Sequence, residues 1–151
     1  MALDPATMTD ASSVRRLLAN AVRLNEDSIA QACRKRLYEL ETPEASDPIE
    51  QRLWQAVAAY EETLREKHGR KQTASYTRRK ISAKGAVQTL TDWALGKNVT
   101  PGFEALVKSG SAEFTGEYVV VEFADRFPPA AVAAAKKKLI DHGVALPVAV
   151  G

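Results

Sequence analysis

The feature that most constrains the fold is the segment "DPIE" and the amphipathic run behind it. Asp47 can accept hydrogen bonds from the free amides of a helix N-terminus, Pro48 suits the first helical position, and Glu50 can reach back to the cap. Apolar residues then recur on a single face: Ile49, Leu53, Ala56, Val57, Tyr60 and Leu64. Gly69 can take the left-handed conformation that ends helices. The sequence therefore predicts a long central helix over residues 47–68.

Upstream of this helix, two shorter helical patterns are present. Thr9 or Asp10 can cap the first, whose apolar positions follow the spacing of a buried stripe. Asn25 or Asp27 can start the second, which carries Ile29, Cys33, Leu37 and Leu40 on one face. The pattern predicts an N-terminal helical hairpin over residues 9–41.

Downstream, helical signals continue almost to the end of the chain. Ser75 or Thr73 can cap a helix that runs through Gly85 to Gly96, although glycine within a helix costs about 1 kcal/mol relative to alanine. Further helices are predicted to start at "TP", residues 100–101, and at "PP", residues 128–129. We interpret Gly85 as the mark of a close helix crossing or a bend.

The segment near residues 112–123 is ambiguous, because Tyr118 to Val121 is β-prone and Gly116 suits a hairpin turn. We favour helix, since a lone hairpin is only marginally stable in water. The predicted fold class is mainly α, a compact multi-helix bundle with an N-terminal helical hairpin, and a minor β-hairpin near 112–123 is the alternative.

The 151 residues fit one ordinary domain. We expect residues 1–8 to be an appended leader, because "MTD" reads as a natural start before a helix cap. The expected organisation is a single helical domain over 9–143 and a tail over 144–151. The domain divides into the hairpin 9–41, the central helix 47–68 and a C-terminal helical part 73–143.

Positive charge is concentrated in one part of the chain, although the formal net charge is only +2. Residues 65–84 hold eight basic residues against one acid, a net charge of +7, whereas the remaining 13 basic and 18 acidic residues give −5. Such asymmetry favours a phosphate-rich or acidic partner. A solvated helix end and loop would also explain the run.

A basic segment, residues 69–85, is the predicted nucleic-acid-binding site. Arginines in the first turn of a helix oppose the helix dipole, and free amides with added guanidinium groups make a good phosphate cradle. An aromatic ring among arginines is typical of nucleic-acid contacts. The predicted binding residues are Arg70, Lys71, Tyr76, Arg78, Arg79, Lys80 and Lys84.

Two other functions remain open at this stage. One is a non-enzymatic helical interaction or regulatory module, which pairs with itself or with an acidic protein. The other is a metal-dependent nuclease or an accessory fragment of one, with carboxylates drawn from Glu61, Glu62, Glu117 and Glu122. Nothing in the spacing of these acids makes them converge, so solvated helix faces explain them better.

Several classes of site have no counterpart in the sequence. Cys33 is the single cysteine, which excludes an internal disulfide and a Cys-based zinc site. Phosphate-binding glycine motifs and the G-x-S-x-G elbow do not occur, and His68 and His142 lie at predicted helix ends without partners for a metal site. We expect no cofactor, no metal, no catalytic residue and no membrane partner. A cytoplasmic location is expected by default, because no secretory signal or membrane-spanning run is present.

Overall fold

The structure is a computed structural model that describes residues 4–42, 47–70 and 73–148. Within these ranges the chain forms eight α-helices, three short 3-10 helices and no β-strand, so the mainly helical, compact fold class is confirmed. The α-helices are α1 (Ala11–Arg23), α2 (Asp27–Leu40), α3 (Pro48–His68), α4 (Ser75–Lys84), α5 (Ala86–Leu95), α6 (Pro101–Lys108), α7 (Gly116–Glu122) and α8 (Pro129–Asp141). The 3-10 helices cover Pro5–Thr7, Ala112–Phe114 and Ala124–Arg126.

The predicted central helix is confirmed at both ends. The Glu50 amide donates to the Asp47 carboxylate over 3.3 Å, and Pro48 occupies the first helical position. At the other end Gly69 adopts φ +73°, and its amide donates to the Arg65 carbonyl. These caps satisfy backbone groups that a helix terminus would otherwise leave without partners.

The N-terminal hairpin is also confirmed. Helices α1 and α2 pack on each other through a small core, and α2 then packs against α3. The buried members of this core are Val14, Leu18, Ala21, Ala30, Cys33 and Leu37. The turn Pro5–Thr7 lies against α2, where Arg36 donates to the Met8 carbonyl over 2.7 Å. The assignment of residues 1–8 as an appended leader remains a prediction.

The main core lies between α3 and the C-terminal helices. Helix α7 is packed by α3, α5 and α8, so Val119, Val120 and Val121 are all buried although the helix has only seven residues. Three-sided packing explains why this run looked β-prone, since consecutive apolar residues need not face one way in a surrounded helix. The helical interpretation of 112–123 is correct, and the β-hairpin alternative is wrong.

The helix predicted from residue 75 to Gly96 is divided at Gly85, so the continuous helix is wrong and the interpretation of Gly85 as a bend is correct. Gly85 has φ +85° and ψ 169°, so it ends α4 and precedes the first residue of α5. A Cβ built there would meet nothing within 4 Å, so the glycine serves the backbone angle and not a close helix crossing. Only glycine adopts this region of φ and ψ readily.

We expect Gly85→Ala to lower the free energy of unfolding by about 1–3 kcal/mol, because alanine is strained at this φ and ψ. Urea unfolding followed by circular dichroism measures the change. Ser82→Ala, at an exposed position of α4, is the control and should change stability by less than about 0.5 kcal/mol. Equal stability of Gly85→Ala and the parent protein would contradict this role of the glycine.

Candidate nucleic-acid interface

Helix α4 carries most of the basic segment, and its N-terminus is capped by a side chain from another helix. The N-cap is Ala74, so the prediction that Ser75 or Thr73 caps the helix is wrong. The Ala74 amide instead donates to the Glu61 carboxylate of α3 over 2.7 Å. An anion at a helix N-terminus is stabilised by the free amides and by the helix dipole.

Arg78 binds the same carboxylate. Its Nε and Nη2 atoms lie 2.8 and 2.6 Å from the two carboxylate oxygens of Glu61, and its guanidinium lies 5.6 Å from the centre of the Trp54 ring. The bond to Glu61 raises the pKa of the arginine. Glu61 therefore occupies the position where the sequence predicted a phosphate, and it relieves the unfavourable charge of an arginine near the helix start.

Lys80 is paired as well. Its ammonium lies 2.8 Å from the carboxylate of Asp92 on α5, and only 17% of its side chain is exposed. The pKa of Asp92 is lowered, mainly by the hydrogen bond from Lys80 and next by the hydrogen bond from Gln88. The charge of Lys84 acts on the same carboxylate more weakly.

The remaining predicted residues lie on the solvent side. Tyr76 is 74% exposed, and Arg70, Arg79 and Lys84 are exposed too, with no ion pair to any residue in the described part of the chain. At about 100° per residue, Tyr76, Arg79 and Lys84 fall within about 140° of the α4 circumference. We call these three residues the outer face of α4. Arg70 lies beyond Gly69, and Lys71 lies outside the described residues.

The candidate nuclease carboxylates do not converge. Each binds a different cation: Glu61 binds Arg78, Glu62 binds Arg15, Glu122 binds Arg52 and Glu117 lies near Lys138. Across residues 4–42, 47–70 and 73–148, no group of three His, Cys, Asp or Glu side chains is placed to hold a metal ion. These contacts also replace the interpretation of the acids as solvated, since Glu62 and Glu117 are buried.

From the sequence, Glu61 is named only as a candidate nuclease carboxylate, and its role as the partner of Arg78 and of the α4 N-terminus is missed. Glu61 precedes Gly69 by eight positions and Arg78 follows Gly69 by nine, so a chain that folds back near the glycine brings the two side chains together. The available signal for this pair is weak. It is the nearly equal sequence separation of an acid and an arginine from a glycine that ends a helix.

Comparison with protein-family models, with curated proteins and with solved structures found no match to this chain. The described helices include none with the length and apolar character needed to cross a lipid bilayer. The candidate site therefore has to be judged on its own geometry.

The buried Glu117 should make stability depend on pH. Burial raises the pKa of its carboxyl group, although the nearby Lys138 opposes the shift. Because the folded-state pKa lies above the unfolded value, the folded state binds the proton more tightly, and this contribution to stability is lost as pH rises from about 4.5 through the folded pKa.

Glutamine does not titrate, so we expect Glu117→Gln to lack this loss of stability. The free energy of unfolding of the variant should therefore rise relative to that of the parent protein as pH rises from about 4.5. Urea unfolding at pH 4 to 8 measures the difference. Glu104→Gln, at an exposed position of α6, controls for the change in net charge. A difference that is flat with pH for Glu117→Gln, or that runs the other way, would contradict the raised pKa.

Proposed function

We propose that this protein binds the phosphate backbone of nucleic acid through the outer face of α4. The main support for this proposal is that Tyr76 is exposed beside exposed cations. An aromatic side chain that is 74% exposed contributes little to the core, and here it shares one side of the helix with Arg79 and Lys84. A phenol ring between cations suits base stacking together with phosphate contact.

The way α4 is attached supports the proposal. The helix is held to the protein body by one buried side chain, Ile81, and by the ion pairs of Arg78 with Glu61 and of Lys80 with Asp92. The helix itself contains no acidic residue, so Arg79 and Lys84 have no acid on α4 to pair with. Tyr76, Arg79 and Lys84 can therefore meet a polyanion without breaking the ion pairs that hold the helix.

The structure reduces the number of phosphate contacts that the sequence predicts. Arg78 and Lys80 are held by Glu61 and Asp92. Of the cations that the sequence predicts to bind phosphate, the described ones that remain are Arg70, Arg79 and Lys84. Three contacts correspond to a slope of about −2.7 in log K against log salt, or a loss of affinity of about 40-fold between 50 and 200 mM salt. Binding should therefore be weak and independent of sequence.

We expect Arg79→Ala/Lys84→Ala to weaken binding of a fluorescent 20-nucleotide single strand and of a 20-base-pair duplex, and to reduce the salt slope by about 2. Fluorescence anisotropy between 50 and 200 mM NaCl measures both quantities. The matched control is Lys97→Ala/Lys136→Ala, which removes the same charge from exposed positions outside α4. Tyr76→Ala should weaken the single strand by about 5-fold or more if a base stacks on the ring.

Equal losses in the α4 variant and its matched control would contradict the proposal, because net charge alone would then account for binding. Salt-independent binding would contradict it as well. Poly-glutamate serves as a second polyanion in the same assay. If it binds as tightly as nucleic acid and Tyr76→Ala changes neither affinity, the outer face of α4 docks acidic chains in general, which is the behaviour of an interaction module.

A further inference from the structure

A cavity of about 200 Å³ adjoins α4, and no residue of the outer face of α4 lines it. It is bounded by α3, by Trp93 of α5, by the start of α6 and by the start of α7, and Thr77 of α4 lies at its edge. An apolar cavity of roughly 150 Å³ is enough to bind benzene. The space therefore suits a ligand with a single ring and a short substituent.

Four aromatic residues line the cavity: Tyr60, Trp93, Phe103 and Phe114. Neighbouring rings hold two of them in place. Phe114 meets Tyr38 edge to face at 4.9 Å, and Phe103 meets His142 edge to face at 5.0 Å. A wall fixed by such contacts does not have to rearrange when a ligand enters, which lowers the cost of binding.

Two glycines let the other two rings lie directly on backbone. A Cβ at Gly102 would come within 2.3 Å of the Tyr60 ring, and a Cβ at Gly116 would come within 2.6 Å of the Trp93 ring. Neither approach is possible for a residue with a side chain. The positions of Tyr60 and Trp93 as cavity walls are thus built into the sequence.

Glu117 is the charged side chain among the residues that line the cavity. Its side chain is only 7% exposed, and its nearest cation, the Lys138 ammonium, remains 3.6 Å away. Lys138 gives a hydrogen bond to the Trp93 carbonyl, over 2.9 Å. A desolvated carboxylate whose nearest ammonium is 3.6 Å away gains from a ligand that donates to it at shorter range.

We propose that this cavity binds a compact primary amine that carries one aromatic ring. Its ammonium group would donate to the Glu117 carboxylate, and its ring would pack among the aromatic walls. Aromatic faces favour a nearby cation as well as an apolar ring. The site is separate from the outer face of α4, so it is a second binding activity and not a part of the nucleic-acid interface.

The test compares three probes of similar size: benzylamine, benzyl alcohol and benzoate. Trp93 lies in the wall, so its fluorescence reports on occupancy once Trp54→Phe removes the other tryptophan. We expect saturable binding in the order benzylamine, then benzyl alcohol, with benzoate weakest. In the Trp54→Phe protein, Glu117→Gln should weaken the binding of benzylamine by about 10-fold and change the binding of benzyl alcohol by less than about 2-fold.

Ala56→Met provides an independent check, because Ala56 lines the cavity and a longer side chain there fills it. This variant should bind neither benzylamine nor benzyl alcohol, and circular dichroism shows whether it remains folded. Should either variant fail to fold, the order of the three probes on the Trp54→Phe protein decides. Absence of saturable binding, benzoate bound as tightly as benzylamine, or equal losses of benzylamine and benzyl alcohol in Glu117→Gln would overturn the proposal.

Discussion

Two adjacent carboxylates on the central helix hold the two sides of the molecule. Neighbouring residues of a helix point about 100° apart, so Glu61 and Glu62 face different partners. Glu62 is buried and binds Arg15 of α1 over 2.7 Å, whereas Glu61 binds the N-terminus and Arg78 of α4. The first contact ties α3 to the N-terminal hairpin and the second ties it to the basic helix. In each pair the carboxylate is the more buried partner, so loss of its arginine would leave a poorly solvated charge without its main partner.

This arrangement separates two roles within one basic helix. Arg78 and Lys80 neutralise carboxylates of the protein body, whereas Arg79 and Lys84 remain exposed to solvent. A run of basic residues is therefore a poor measure of how many phosphates a protein can contact. Within the described residues, the outer face of α4 and the cavity that adjoins the helix are the two features to which we propose to assign binding, and they differ in chemistry. One suits an extended polyanion, and the other suits a small amine.

Local signals in the sequence predicted the local parts of the fold. The cap at Asp47, the apolar stripe behind it and the left-handed Gly69 depend on neighbours within a few positions, so the bounds of α3 could be predicted closely. The helical state of 112–123 depends on packing by three other helices, which the sequence leaves open. At Gly85 the sequence indicates either a close crossing or a bend, and only the backbone angles of the glycine decide between them.

The ion pairs were beyond prediction for a similar reason. Arg15 and Glu62 are 47 positions apart, and the sequence does not show which of several acids is the partner of Arg15. For the candidate site, the sequence therefore indicated which residues are basic but could not indicate which of them face solvent.

Residue-resolved amide hydrogen exchange on Glu61→Gln and Glu62→Gln tests most directly whether each carboxylate holds its own side of the molecule. We expect Glu61→Gln to speed exchange across α4 while α1 keeps its protection, and Glu62→Gln to do the reverse. Unchanged protection of α4 in Glu61→Gln would contradict this account. A uniform rise in exchange along the whole chain in both variants would contradict it equally, because the two anchors would then not act separately.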